Sequence, residues 1–262
     1  MQVITSKENE YVKHVRKLKD KKYRDESHEF IVEGVKLVEE AIQEGMDIHK
    51  IIICEDCVGN GSIEQKTLYE IAKFPCLYVT EKVFKIMTDV SSPQGMLAVI
   101  HKEEKEEEID FSKDVMLLLD GLQDPGNLGT IIRTADSCGM EQIIVSKDTA
   151  DPYNPKVVRS TMGAIFRVKI IRVEDLAKTI KNLQKRGIKV LGTSLQAEKS
   201  VYHIDYKKKA YVVGNEAKGV TGEVLEACSE LVKIPMIGRA ESLNVAVATG
   251  VILYEEVRKK LT

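Results

Sequence analysis

Apolar positions along this chain recur with two different periods, and the alternation between them predicts the architecture. From the N-terminus, Ser6 to about Lys22 reads as one helix, with Tyr11, Val15 and Leu18 at i, i+4 and i+7. EFIV (29–32) reads as a strand, and 33–45 as a helix closed by Gly45. Strands at 49–54, 76–80 and 96–100 alternate with helical patterns at 63–74 and 81–89. Residues 1–100 therefore predict an α/β/α sandwich. Residues 101–114 are charged and aperiodic, and read as a linker. VMLLLDGL (115–122) is a continuous apolar run of the kind buried on both faces of a parallel sheet. Strand patterns follow at 142–146, 166–171, 188–195, 210–214 and 231–235, with helical patterns at 128–138, 174–186, 222–228 and 242–260. Residues 115–262 thus predict a doubly wound α/β domain, in which ligands sit beyond the carboxyl ends of the strands.

Composition narrows the class. At 262 residues there is room for two domains, and 43% hydrophobic with 31% charged residues is ordinary for a soluble protein. No apolar run approaches a membrane span and the start, MQVITSKENE, is polar, so a cytoplasmic protein without a membrane partner is expected. Five cysteines without regular spacing suit a reducing compartment. Cys54 and Cys57 form a CxxC, but no second pair exists to complete a zinc site and Cys54 ends the apolar run IIIC, so buried thiols and no metal are expected.

A net charge of −2 excludes a chain that binds nucleic acid by overall charge. The charge is uneven, however. Residues 13–24, KHVRKLKDKKYR, hold seven Lys or Arg and one Asp, whereas 103–108 is EEKEEE. The basic run suits phosphates, or equally a solvated helix face.

Three strand ends carry the candidate chemistry. In DGLQDPGNLGTIIRTADSCG (120–139), Asp124-Pro125-Gly126 is a tight turn, Asn127 can cap the next helix, and Asn127 and Arg133 fall on its polar side. In VVGNEAKGV (212–220), two glycines flank Glu216, which suggests a loop passing close to something. The spacing is neither the GxGxxG of a dinucleotide loop nor a P-loop. In IPMIGRAESLNVAVATGVILYEEV (234–257), Ser242 can cap a closing helix whose apolar stripe is Leu243, Val247, Val251 and Tyr254. By periodicity alone that stripe reads as intrachain core.

NxGxxxR at Asn127–Arg133, GNExxG at Gly214–Gly219 and IPMxGxxxSLNVAVA at Ile234–Ala248 together resemble the three motifs of the SpoU (TrmH) family of RNA ribose methyltransferases. The likeness covers about residues 115–260. FIVEGVKLVEEA (30–41) carries a weaker likeness to that family's N-terminal substrate-binding domain, which is similar to small ribosomal RNA-binding proteins.

The resemblance implies an α/β domain tied in a deep trefoil knot at 115–262, a smaller N-terminal α/β/α RNA-binding domain at 1–100, and a homodimer packed through the knot region. It implies transfer of a methyl group from S-adenosylmethionine to a ribose 2′-hydroxyl, first in 23S ribosomal RNA, then in transfer RNA; a non-catalytic assembly factor is the rival from another class. Carried over residue by residue, Arg133, Asn127, Glu216, Ser242 and Asn244 are catalytic, and Thr193, Gly214, Ile234, Met236 and Leu243 contact the cofactor. Either Arg133 stabilises the developing alkoxide while a substrate phosphate takes the proton, or a dry pocket makes it a base. Lys13, Arg16, Lys17, Lys19, Lys21, Lys22 and Arg24, with Arg159 in KVVRSTMGA, are the expected RNA contacts.

Overall fold

The computed structural model describes residues 3–59, 63–102 and 108–262. The chain divides into two compact units, Met1–Lys105 with Tyr153–Phe166, and Glu106–Pro152 with Arg167–Thr262.

The first unit runs β1 (Val3–Ile4), α1 (Glu10–Lys17), α2 (Lys21–Ser27), β2 (Glu29–Glu33), α3 (Val35–Gln43), β3 (Ile48–Cys54), α4 (Glu55–Gly59), α5 (Gln65–Ile71), β4 (Cys76–Val79), α6 (Glu81–Met87) and β5 (Met96–His101). Its mixed sheet has the order β1-β4-β3-β5-β2, with β5 antiparallel to both of its neighbours. One face packs Ile31, Ile52, Leu97 and Val99 against Val12, Val15 and Leu18 of the N-terminal helical segment.

The single helix expected over 6–22 is two. Asn9 caps α1, and Asp20 stops it, its carboxylate accepting from Lys22 N at 2.8 Å to start α2. The break turns Arg24 inward. It is 1% exposed, and Nη1 donates to the carbonyls of Leu18 (2.8 Å) and Lys19 (2.7 Å), closing the end of α1.

The second unit contains β6 (Val115–Asp120), α7 (Pro125–Ser137) and β7 (Gln142–Ser146); α8 (Pro155–Thr161), which belongs to the first unit, comes next. Then follow β8 (Lys169–Val173), α9 (Leu176–Lys185), β9 (Lys189–Thr193), β10 (Lys199–Ser200), β11 (Lys209–Gly214), α10 (Gly222–Ala227), β12 (Glu230–Lys233) and α11 (Val245–Leu261). Its sheet is parallel throughout, in the order β10-β12-β9-β11-β6-β7-β8. Met116, Leu118, Val190, Ala210 and Val212 face α9 and α10. On the other face Tyr211 donates to Glu256 Oε1 of α11 at 2.7 Å, and Lys209 Nζ lies 2.6 Å from Glu256 Oε2. Burial opposes ionisation of Glu256, but the Lys209 and Tyr211 donors outweigh it and hold the carboxyl below its ordinary range.

Two boundaries differ from expectation. Glu103–Glu107 of the charged linker lie outside the described residues, but Ile109 and Phe111 pack on the α9–α10 core, and Gln142 and Asp110 exchange bonds of 2.9 and 2.8 Å. The apolar pair inside the charged run anchors the later part of that stretch. The segment Tyr153–Phe166, expected within 115–262, packs in the first unit. Tyr153 packs against Phe30 with ring centroids 4.8 Å apart and planes tilted by 49°, and α8 lies on β2. Arg159 of α8 therefore pairs with Glu33 at 3.4 Å instead of standing free for RNA.

Candidate active site

The carboxyl ends of β6, β9, β11 and β12 lead into loops that enclose one cleft of about 630 Å³ in the second unit. Its floor depends on a backbone crossing. At Gly214 a Cβ would lie 2.1 Å from the carbonyl carbon of Gly219 and from Val220 N, so only glycine ends β11 here. Gly219, at φ +71°, turns the loop back so that Asn215 and Gly219 exchange backbone bonds of 3.0 and 2.9 Å.

Side chains then stitch the loops. Asp120 Oδ2 accepts from Thr221 N and Oγ1, each at 2.8 Å, and Asn215 Nδ2 donates to Gly121 O at 2.9 Å. Glu216 Oε1 accepts from Asp124 N (3.0 Å) and Asn127 Nδ2 (3.2 Å), while Oε2 accepts from Gln123 N (3.3 Å). Asn127 Oδ1 in turn accepts from Asn244 Nδ2 at 3.0 Å, and Asn244 Oδ1 caps α11 through Ala246 N and Val247 N. One chain of bonds thus ties the ends of β6 and β11 to the starts of α7 and α11. Burial works against the Glu216 charge, yet the backbone donors of Glu216, Asp124 and Gln123 and the Asn127 amide prevail, and its carboxyl titrates below the ordinary carboxylate value.

The caps are not the expected ones. Asp124, not Asn127, caps α7 and accepts from Asn127 N at 2.7 Å, with Pro125 at the first helical position. Asn244, not Ser242, caps α11. Asn127 is therefore inside the helix, with its amide turned to the cleft.

Of the ten expected site residues in this unit, nine line the cleft: Asn127, Thr193, Gly214, Glu216, Ile234, Met236, Ser242, Leu243 and Asn244. Arg133 does not. It is exposed, lies two turns into α7 beyond Asn127, and has no hydrogen bond or ion pair among the described residues. Thr193 turns its hydroxyl to Val212 O at 2.9 Å, leaving backbone to face the cleft. The rest of the lining combines apolar side chains, including Val213, Val232, Val245 and Ile252, with polar ones such as Ser194, Gln196 and Asn215. Asp120, Asn215 and Asp124 were missed by sequence reasoning, although each sits at a strand end or turn that marked the site.

The apolar stripe of the last helix faces outward. Val247 and Tyr254 are each 53% exposed, whereas Val245, Ala246, Ile252 and Leu253 are buried. The helix packs on α7, with Gly250 against the Thr134 methyl group and Tyr254 OH 3.3 Å from Ser137 Oγ.

In the N-terminal basic run, charges are largely paired. Lys13 meets Glu8 (2.8 Å), Lys19 meets Asp89 (2.7 Å), Lys21 meets Asp25 (2.5 Å) and Lys22 approaches Glu26 (3.8 Å). Lys17 lies over the Tyr23 ring, and Arg16 is exposed without a close partner among the described residues. Arg24 is withdrawn as an RNA contact, because its guanidinium is buried on carbonyls.

Residues 9–98 match the MRM3-like substrate binding domain, and residues 114–254 match the SpoU rRNA Methylase family. The chain is 36% identical over 255 residues to the 23S rRNA (guanosine(2553)-2′-O)-methyltransferase RlmP of Bacillus subtilis, covering 97% of this chain and 98% of that one. The AdoMet-bound rRNA methyltransferase of Sinorhizobium meliloti superposes with a TM-score of 0.83 at 33% identity, over 100% of this chain and 99% of that one. A crystal structure of an RNA 2′-O ribose methyltransferase gives 0.85 at 30% identity over the whole of both chains. With nine of the ten expected site residues at one cleft and both units matched, this chain belongs to the SpoU rRNA methylase family.

Proposed function

We propose that this protein is an S-adenosylmethionine-dependent RNA 2′-O-ribose methyltransferase acting on 23S ribosomal RNA in the cytoplasm. The observation that carries the reading is the bonded chain Glu216–Asn127–Asn244 across a cleft that also gathers Thr193, Gly214, Ile234, Met236 and Leu243.

The cleft fits the cofactor. Its walls include the apolar Val213, Val232, Val245 and Ile252, the Gly214–Gly219 crossing presents bare backbone, and among the described residues its charged lining side chains are Glu216, Lys218 and Lys233. A flat adenine between apolar walls, read by backbone donors and acceptors, suits such a site. When bound, the cofactor supplies an electrophilic methyl group on a sulfonium sulfur.

The chain's own residues have separable tasks. Glu216, Asn127 and Asn244 have their polar atoms engaged with one another and with helix starts, so they act as positioning residues. Ser242 is exposed and has no hydrogen-bond partner among the described residues, which leaves its hydroxyl for the ribose. Arg133 is an exposed cation without a partner among the described residues. Its exposure favours the first reading of its role: it stabilises the 2′-oxygen as the proton leaves for a substrate phosphate, or grips that phosphate with two donors. The exposed faces of Lys13, Arg16, Lys17, Lys21 and Lys22 position the RNA by its phosphates.

Two finer features accompany this reading. The path from β9 to α11 forms the family's trefoil knot; the meeting of the loops 193–196, 213–220 and 234–245 at one cleft supports it. The exposed stripe of Val247 and Tyr254 supports a homodimer across α11. Sedimentation is expected to give twice the chain mass, and Val247→Glu the single mass.

The activity is tested with tritiated S-adenosylmethionine and ribosomal RNA from a strain lacking the gene. Label in 23S RNA, surviving as an alkali-resistant dinucleotide, is expected. Cofactor binding without label on RNA or on ribosomal precursors would leave the non-catalytic assembly factor.

A further inference from the structure

Away from the cleft, the first unit gathers three of the chain's five histidines around one carboxylate. Glu29 opens β2 opposite His101 of β5, in antiparallel register. His49 sits where the β3–β5 register shifts between Ile48 and Lys50, a bulge that re-aims its ring. His49 Nδ1 contacts Glu29 Oε1, and His101 Nδ1 lies 3.6 Å from the same oxygen. The two imidazoles stack with centroids 5.0 Å apart. From α1, His14 places Nε2 2.7 Å from Glu29 Oε2, while its Nδ1 meets Tyr23 OH at 2.8 Å. That Nε2 is buried and is not aligned for a hydrogen bond.

The electrostatics of this cluster are unusual for a surface ion pair. The Glu29 side chain is 5% exposed, and among the described residues no Lys or Arg lies within ion-pair distance of it. A buried carboxylate needs compensating positive charge. Its ring partners are of the type that ligates metals, and one ligand atom each from Glu29, His49 and His101 lie within 4.8 Å of one another. Two imidazoles and a carboxylate form a ligand set suited to a first-row divalent cation, zinc above all, since it imposes no geometry of its own. A zinc ion about 2.0–2.2 Å from each ligand needs them roughly 3.3 Å apart. Rotation of the His49 and His101 rings, 39% and 40% exposed, can supply that spacing, opening the direct His49–Glu29 contact and drawing His101 in.

We propose that Glu29, His49 and His101 bind a divalent transition-metal cation, zinc in the first instance. His14, whose Nε2 lies 2.7 Å from the second carboxylate oxygen, is then the positioning residue, a small turn of its ring bringing that nitrogen into line with the oxygen. The site clips β2, β3 and β5 together, and through His14 it steadies α1, the helix that carries Lys13, Arg16 and Lys17. It takes no part in methyl transfer.

The test uses the full chain, stripped with EDTA and titrated with zinc chloride against a chromophoric chelator. One equivalent is expected to bind, equally in a C54S/C57S variant, with affinity falling at least tenfold in H49Q or H101Q. Cobalt substitution is expected to give d–d bands without thiolate charge-transfer absorption. Zinc is expected to raise the melting midpoint of the wild type but not of H49Q/H101Q. Because both rings are partly exposed, circular dichroism should show these variants folded; were they unfolded, the C54S/C57S titration and the cobalt spectrum decide alone. Absence of binding, binding unchanged in H49Q/H101Q, or a thiolate spectrum lost with the two cysteines would overturn the site.

Discussion

Arg24 and Arg133 bring the same guanidinium into opposite surroundings. Arg24 belongs to the most basic stretch of the chain, yet it is buried and donates to the carbonyls that end α1. Arg133 belongs to a stretch with no excess of charge, yet it stands exposed without a partner among the described residues. Local charge density therefore says little about which cation is available to a substrate. Availability is set by what the surrounding backbone leaves unsatisfied. The helix end at Leu18 consumed one guanidinium, whereas the carbonyls at the end of α7 are met by the backbone N–H groups of Cys138, Gly139 and Met140, and the other guanidinium is left alone.

The contrast can be broken most directly at Arg133. Arg133→Ala is expected to lower kcat by about two to three orders of magnitude. The melting midpoint and cofactor affinity should hardly move, and turnover near the wild-type rate would remove Arg133 from the reaction. Arg24→Ala should do the reverse. It strands buried carbonyls and empties a packed site, so a loss of about 2–3 kcal/mol in denaturant unfolding is expected. The salt dependence of RNA binding should stay unchanged, and a flatter salt slope in a folded variant would return Arg24 to the RNA surface.

Glu216→Gln tests the tie between these extremes. It replaces an acceptor of two backbone N–H groups by an amide, and a loss of about 1–2 kcal/mol is expected together with weaker cofactor binding in calorimetry. The sign with pH follows from its lowered carboxyl. The contribution is complete above the ordinary carboxylate range and is lost as pH falls through the lowered folded-state value. Wild type and variant should therefore converge in stability at acid pH, and a constant gap would count against the carboxylate. The smallest effect is expected at Arg16 and Lys17. Each alanine substitution should reduce the slope of log affinity against log salt by about 0.7–1. No change in either would place the RNA elsewhere on the first unit.

The layers of both units were legible because strands and helices bury faces with periods of two and 3.6. The cleft was legible because motif residues at strand ends must meet where parallel strands end together. What escaped the sequence has particular causes. Asp20 split one apparent helix, since a cap can interrupt an apolar period without disturbing it. The stripe through Val247 and Tyr254 read as core because periodicity reports an apolar face but not what covers it. Seven residues of α8 are too few for a period to declare itself. The Glu29 cluster was invisible because its ligands come from residues 20 to 72 positions apart, joined only by strand register and a bulge.

The return of Tyr153–Phe166 to the first unit has a consequence in time. A ribosome extends the chain at roughly 5–20 residues per second. The strands of the first sheet are complete at His101, but Tyr153, the ring that covers Phe30, is made 52 residues later (153 − 101). For several seconds of synthesis the nascent sheet exists without its α8 cover, while β6, α7 and β7 of the next unit emerge. The first unit is thus interrupted rather than made in one run: it is not complete until Phe166, after β6, α7 and β7 of the second unit have been made, and a product ending before Tyr153 would lack the ring that packs on Phe30.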